Sequence, residues 1–163
     1  MITLPDFQEI RNYEKIASKD GSGIRRNDLY GKWRFKYVWK NGKYEKDNIS
    51  SSILQVLSAN LELLQLNVEE EESNFQIKNS IKLGLVSIVF EGEAFFIGKR
   101  PLLEFYFNFF YFKFAGINLI TKTLNNKNEK NNPFFSLIAV DKNKKWMCAR
   151  GKGGGLALWL KDI

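Results

Sequence analysis

The chain has 163 residues, of which 44% are hydrophobic and 26% are charged, and these values are typical of one soluble globular domain. It contains no histidine and a single cysteine, Cys148, which excludes histidine-based catalysis, histidine metal sites and an internal disulfide. The net charge is +7. A basic chain can approach nucleic acid or an anionic membrane, although these basic residues form no dense run.

Residues 6–19 are predicted to form a helix. Asp6 is followed by Glu9 at the spacing of a capping box, and apolar residues then recur along one stripe. The sequence Asp-Gly-Ser-Gly at residues 20–23 ends this helix. We therefore expect residues 1–28 to form an N-terminal helix and a linker.

Residues 29–163 are predicted to form a single β-barrel domain that opens with the strand Gly-Lys-Trp-Arg-Phe-Lys-Tyr-Val-Trp. Aromatic and basic side chains alternate along this strand, so one set is expected to face the core and the other to face outward. The aromatic set is Trp33, Phe35, Tyr37 and Trp39, and the basic set is Lys32, Arg34 and Lys36.

More strands follow with no helical pattern between them, so the fold class is mainly β. The predicted segments are residues 51–66, 74–83, 85–92, 93–98, 100–116, 134–140, 144–151 and 155–160. Strands at this density predict an antiparallel sandwich or barrel. A closed barrel of about eight strands has no exposed edges, and its interior can hold one small ligand.

The most unusual segment is Arg-Pro-Leu-Leu-Glu-Phe-Tyr-Phe-Asn-Phe-Phe-Tyr-Phe-Lys-Phe-Ala-Gly, residues 100–116. Phenylalanine alternates with polar residues up to Phe109, and beyond it the parity reverses. One extra residue near Phe109–Phe110, a β-bulge, would explain the reversal. The inner face would then carry Phe105, Phe107, Phe110, Phe112 and Phe114. Periodicity leaves two interpretations open, a packed core and the wall of a ligand cavity.

Three residues are candidates for closing the barrel. Gly31 and Trp33 open the first strand, and Arg150 lies on the strand before the last. Because the first and last strands of a barrel are neighbours, we expect Arg150 to lie over the indole of Trp33 in a structural cation–π contact. The glycines after Arg150 lack the Gly-Lys-Ser/Thr sequence and the following helix of a phosphate-binding loop, so they indicate a turn.

Two further features of the sequence are candidates for chemistry. Glu91 and Glu93 have the same parity on either side of Gly92 and could act as an acid–base pair, but a solvated hairpin tip explains them better. Cys148 could be a reactive thiol or a small buried side chain. No catalytic residue, cofactor or metal site is predicted.

Three motifs in order resemble the plastid lipid-associated protein family, also called PAP/fibrillin. The first is Leu-Tyr-Gly-Lys-Trp-Arg-Phe-Lys-Tyr-Val-Trp, with Leu29, Gly31, Trp33 and Tyr37 at the family's positions. The second is the Phe-rich strand ending in Ala-Gly at residues 110–120. The third, residues 139–162, has Asp141, Arg150, Gly151 and Gly155 at the family's positions. Residues 48–98 show no match, and Leu-Ala-Leu-Trp stands where the family favours Phe-Val.

The resemblance implies a lipocalin-like (calycin) β-barrel that is not an enzyme. It implies association with carotenoids, lipids or quinones at thylakoid membranes or lipid globules. The N-terminal residues lack the features of a signal or transit peptide, so the resemblance implies a cyanobacterial-type member. We expect a cytoplasmic protein, peripheral at the thylakoid membrane.

The leading hypothesis is therefore a barrel that binds or carries a small apolar molecule. Its first alternative is a calycin-type enzyme such as a bilin lyase, which would depend on Glu91, Glu93 or Cys148. Its second alternative, less well supported, is nucleic-acid binding through a basic face. Lys32, Arg34 and Lys36 are predicted to point outward and to provide weak contact with an anionic membrane.

Overall fold

The computed structural model describes residues 3–40, 43, 45–47, 59–66, 74–124, 132–141, 143 and 145–162. These residues form two helices, α1 (Phe7–Asp20) and α2 (Arg26–Leu29), and nine strands. The strands are β1 (Gly31–Trp39), β2 (Asn60–Gln65), β3 (Asn74–Leu83), β4 (Val86–Ile97), β5 (Leu102–Phe114), β6 (Ile117–Thr123), β7 (Phe134–Val140), β8 (Trp146–Gly151) and β9 (Leu156–Lys161). Residues 51–58 of the predicted second strand lie outside the described residues.

The N-terminal helix and its capping box are confirmed. The backbone N–H of Glu9 donates to the Asp6 carboxylate at 2.8 Å, and the backbone N–H of Asp6 donates to the Glu9 carboxylate at 2.9 Å. The helix ends where Gly21, at φ 89°, donates its N–H to the carbonyl of Ala17. Ile10 and Ala17 are buried, so α1 packs one face against the sheet.

The strands form one antiparallel sheet in the order β4-β3-β2-β1-β9-β8-β7-β5-β6, and β4 also pairs with β5. Eight strands therefore close into a ring, and β6 extends the sheet outside it. This arrangement confirms a mainly β, antiparallel, barrel-like fold with an N-terminal helix. Closure satisfies the backbone groups that an open sheet would leave at its edges.

The longest two strands continue beyond the ring. β7 pairs with β5 only over Leu102–Glu104, whereas β6 pairs with the other end of β5, over Phe109–Phe114. We call residues 81–90 and 109–123 the arm. At about 3.3 Å per residue, the six residues of β5 from Phe109 to Phe114 extend the arm by roughly 20 Å.

Two apolar clusters lie on opposite faces of the sheet. The cluster inside the ring includes Trp33, Phe35, Leu63, Phe75, Ile77, Leu103, Phe105, Leu137, Met147 and Trp159. The cluster on the outer face lies under α1 and contains Ile10, Trp39, Ile138, Trp146, Cys148, Leu156 and Leu158. Alternate residues of β8 and β9 thus contribute to both clusters, as the period of two requires.

A bulge in β1 corrects the predicted single aromatic face. The pairing of β1 with β9 shifts between Phe35 and Tyr37, which leaves Lys36 as an extra residue. Phe35 therefore packs inside the ring, whereas Tyr37 and Trp39 pack against the cluster under α1. Strict alternation predicts that all four aromatic side chains of β1 share one face. The bulge changes this, and nothing in an alternating aromatic and basic sequence marks the position of a bulge.

The end of the ring away from the arm is covered by α2. Leu29 belongs to the inner cluster, and the Trp33 indole N–H donates to the Leu29 carbonyl at 2.7 Å. The guanidinium of Arg26 lies over the rings of Tyr30 and Phe75, 5.6 and 5.2 Å from their centroids. This packing fixes one end of the ring interior, and the arm extends from the other end.

Candidate functional site

The phenylalanines of β5 share one face, as the alternation predicts, and one extra residue interrupts the strand. The pairing of β5 with β4 runs Gly92 to Phe107 and then Glu91 to Phe109, so Asn108 is the bulged residue. The bulge lies one residue before the predicted position. Beyond it Phe110, Phe112 and Phe114 pair with Phe90, Ile88 and Val86, which extends the face that carries Phe105 and Phe107.

Aromatic rings run without a break from the ring interior into the arm. Inside the ring, Phe35 contacts Trp159, Trp159 contacts Phe135, and Phe135 stacks on Phe105 at 5.2 Å. From Phe105 the contacts continue to Phe107 at 5.5 Å, then to Phe90 at 5.4 Å and to Phe110 at 5.3 Å. We call these seven residues the aromatic chain.

Burial falls along the inner face of β5 from Phe105 to Phe114, although every residue of this set is a phenylalanine. Phe105 is buried and packs in the inner cluster, and Phe107 is half-buried beside that cluster. Phe110 and Phe112 are half-buried, and neither belongs to a core cluster of the described residues. Phe114 is exposed. The predicted wall thus divides into a core part and an accessible part.

Gly92 allows the bulge to form. A Cβ built at this position would lie 1.9 Å from the carbonyl oxygen of Tyr106 and 2.7 Å from the Cα of Phe107. Only glycine lets the two backbones approach so closely. The predicted hairpin tip at Gly92 is wrong, because the predicted segments 85–92 and 93–98 belong to one continuous strand, β4 (Val86–Ile97).

Glu91 and Glu93 lie on the outer face of that strand. The Glu91 carboxylate forms an ion pair with Lys78 at 3.0 Å, and Glu93 accepts from the side-chain amide of Asn108 at 3.5 Å. Burial, followed by the neighbouring Glu93, raises the pKa of Tyr106 to about 12. Glu91, Glu93 and Asn108 line a groove of about 570 Å³ that Phe109 and Tyr111 also line.

Arg150 binds the helix instead of Trp33, which corrects the predicted cation–π contact. Its guanidinium donates twice to the Glu14 carboxylate, at 2.5 and 2.8 Å, and also to the Gly154 carbonyl. Trp33 packs inside the ring, whereas Arg150 alternates with Ala149 of the inner cluster and so points to the helix side. The hydrogen bonds from Arg150 lower the pKa of Glu14, more than burial raises it.

The cation over the Trp33 ring is Lys161, at 5.0 Å from the centroid. Lys161 is the direct cross-strand partner of Trp33 in the β1–β9 pair. Gly31 has φ 121°, and a Cβ there would lie 2.9 Å from the Lys161 side chain. Gly31 and Trp33 therefore lie where the first and last strands meet, but the cation over Trp33 is Lys161 instead of the predicted Arg150.

The basic residues of β1 are separated by the same bulge. Lys32 and Arg34 are exposed, whereas Lys36 is half-buried and lies over the ring of Tyr37. Lys32 forms an ion pair with Asp162 at 3.7 Å and pairs across the strands with Glu62. Neighbouring carboxylates therefore offset part of the positive charge on this face.

Cys148 is completely buried in the cluster under α1. Desolvation raises the pKa of its thiol to about 12. A thiol in this state is neither exposed to a substrate nor ionised near neutral pH, so the structure places Cys148 among the packing residues.

No protein-family model matches the chain, and no curated protein matches it either. The resemblance to the plastid lipid-associated proteins therefore depends on its three motifs. Within the described ranges, no cluster of acidic or cysteine side chains is arranged to hold a metal ion. None of the described helices is long and apolar enough to cross a membrane.

Proposed function

We propose that this protein binds and carries a small apolar molecule, without catalysis, on the inner face where the ring continues into the arm. The observation that carries the proposal is the inner face of β5. Its phenylalanines pass from buried Phe105 to half-buried Phe112 with no polar residue between them on that face. Packing in the core explains why Phe105 is apolar. Packing does not explain an apolar residue at the accessible position of Phe112.

The aromatic chain suggests the class of ligand. Adjoining phenyl rings offer a long, narrow apolar surface with few hydrogen-bonding groups, which suits an acyl chain, a polyene or an isoprenoid tail. Burial of the ligand would provide the driving force, at roughly 25 cal/mol per Å² of apolar surface. A lipid, a carotenoid and a quinone tail all fit this description.

The three motifs of the plastid lipid-associated family support the same reading. In that family the barrel is lipocalin-like and its members associate with such molecules at photosynthetic membranes. We infer a lipocalin-like barrel for this chain as well, with one end covered by α2 and the arm at its other end. Peripheral contact with a thylakoid membrane belongs to the same proposal.

The experiment is a titration of the purified chain with a carotenoid, a quinone and a fatty acid, together with native mass spectrometry for a molecule that copurifies. The test variant is Phe112→Ser on the inner face. Its matched control is Phe109→Ser, three residues away in the same strand but on the outer face.

We expect Phe112→Ser to weaken binding by about tenfold, since one phenyl ring loses its apolar contact. Phe109→Ser should leave the affinity within about twofold of the parent. If none of the three ligands binds and none copurifies, or if both variants weaken binding equally, the proposal is wrong.

A further inference from the structure

The far end of the arm consists of two turns that lie side by side. One joins β3 to β4 through Gly84 and Leu85, and the other joins β5 to β6 through Ala115 and Gly116. The backbone N–H of Ala115 donates to the Leu85 carbonyl at 2.8 Å. This bond joins the two turns into one edge and satisfies the Ala115 N–H group.

The side chains of this edge are apolar and exposed. Leu85 is 63% exposed and Ile117 is 67% exposed, and Leu83 and Leu119 beside them are also exposed. Ala115 has φ 49° and Gly116 has φ 83°, the pattern of a turn in which Asn-Gly or Gly-Gly is usual. The sequence thus has an apolar residue at a position where a polar one would be less strained.

The charges around the edge have one sign. Lys82, Lys113 and Lys122 lie in the arm, and residues 81–90 and 109–123 contain no acidic residue. Lys82 pairs with Ser87, and Ser87 pairs with Lys113, so these two lysines share the outer face about 10 Å apart. No acidic residue of the arm balances these two positive charges.

We propose that this edge docks on an anionic lipid bilayer. The four apolar side chains would enter the boundary between head groups and acyl chains, and the lysines would meet the head groups. The turn backbone stays at the interface, where water and head groups can bond it. A second copy of the chain fits less well, because a symmetric contact would bring the same three lysines together.

This inference assigns a surface to the membrane contact of the proposed function, and it does not depend on the proposed ligand. Leu85 and Ile117 lie in or next to the turns, whereas Phe112 pairs with Ile88 and Ile120 two residues before the end of β5. The docking edge also differs from the basic residues of β1, which have Asp162 and Glu62 as neighbours. The two surfaces can therefore be tested separately.

The test is co-sedimentation of the full chain with vesicles of phosphatidylcholine, alone or mixed with phosphatidylglycerol. The parent should bind the mixed vesicles more tightly than the neutral ones, and added salt should weaken the binding. Leu85→Ser combined with Ile117→Ser should reduce the affinity at least about tenfold. The control is Ile97→Ser, an exposed apolar residue at the opposite end of β4, which should bind as the parent does.

Charge is tested by a matched pair of double variants. Replacing Lys82 and Lys113, which share the outer face of the arm, by Gln should reduce the affinity by about fivefold per lysine. Replacing Lys32 and Arg34 by Gln should have less effect. Circular dichroism of each variant checks that the fold is retained.

Insertion is read directly from an environment-sensitive fluorophore on Leu85→Cys, since the buried Cys148 will not react. Its emission should shift to the blue with mixed vesicles, and the same label on Ile97→Cys should not shift. Equal binding to neutral vesicles, or parent-like binding by the Leu85/Ile117 variant, would overturn the proposal. So would a dimer that this variant abolishes, in a parent that does not bind vesicles.

Discussion

The strands β3, β4 and β5 run from the ring into the arm, yet their apolar faces are used differently in the two regions. In the ring, the inner residues Phe75, Ile77 and Leu103 are completely buried. In the arm, the continuation of the same faces ends in exposed Leu83 and Phe114. The alternation of side chains is continuous across the boundary, so the sequence pattern by itself does not distinguish a buried from an exposed apolar face.

This difference in burial identifies the apolar residues that folding requires. Apolar surface buried between strands stabilises the fold in proportion to its area, whereas exposed apolar surface does not. Apolar residues in the arm are therefore the ones for which a binding function is the better explanation. Substitutions on both sides of the boundary between the ring and the arm test this division.

The largest difference is expected between Phe105→Ala and Phe112→Ala. Phe105 packs in the inner cluster, and its truncation should lower the free energy of unfolding by about 4 kcal/mol. Phe112 is half-buried outside that cluster, and its truncation should cost about 1 kcal/mol. Urea denaturation of the two variants measures both. Equal costs would mean that the arm is packed as tightly as the ring.

The boundary itself is tested by Gly92→Ala. The new methyl group would collide with the Tyr106 carbonyl, so the strands must separate at the bulge and stability should fall by about 3 kcal/mol. Gly153→Ala is the control, because a Cβ there meets nothing within 4 Å. A stable Gly92→Ala protein would show that the ring and the arm are not joined by a close approach.

The helix side of the ring is tested by Glu14→Gln, which should cost about 2 kcal/mol because Arg150 loses a charged partner. The Glu14 pKa is lowered in the folded state. The stability that the Glu14 carboxylate contributes is therefore complete above the pKa of Glu14 in the unfolded chain. It is lost as the pH falls through the pKa of Glu14 in the folded state. Thermal unfolding across this acidic range should show a smaller pH dependence in the variant than in the parent.

The smallest effect concerns Lys161, which lies over Trp33 at the junction of β1 and β9. Lys161→Met keeps the aliphatic chain and removes the charge, so the cation–π contribution of about 0.5–1 kcal/mol should be lost. The same unfolding measurement applies, with Lys99→Met on the exposed β4–β5 turn as the control. A larger loss would mean that Lys161 also holds the junction by its other contacts.

The sequence was sufficient for features that depend on local patterns. The capping box of Asp6 and Glu9 needs only its spacing, and the inner face of β5 needs only alternation and one extra residue. The strand β6 was missed, although Ala115-Gly116 is a two-residue turn and Ile-Asn-Leu-Ile-Thr follows it. An alanine in place of the usual asparagine concealed the turn.

Other features depend on contacts distant in sequence. Arg150 and Glu14 are 136 residues apart, and which face of β8 meets the helix follows from the whole ring, not from the residues near Arg150. The bulge at Lys36 sends Tyr37 and Trp39 to the helix side, and its flanking residues resemble those of a regular strand. Gly92 was misread for the same reason, since a turn and a close approach both favour glycine.

The central claim is that an apolar molecule lies against the inner face of the arm. The most direct measurement is photo-crosslinking of the parent chain with a fatty acid that carries a diazirine on its acyl chain, followed by mass spectrometry of the labelled peptides. The account predicts labels between residues 107 and 120, lost in competition with an unlabelled carotenoid or fatty acid. Labels concentrated on the outer groove beside Glu91 and Glu93, or labels that competition leaves unchanged, would contradict it.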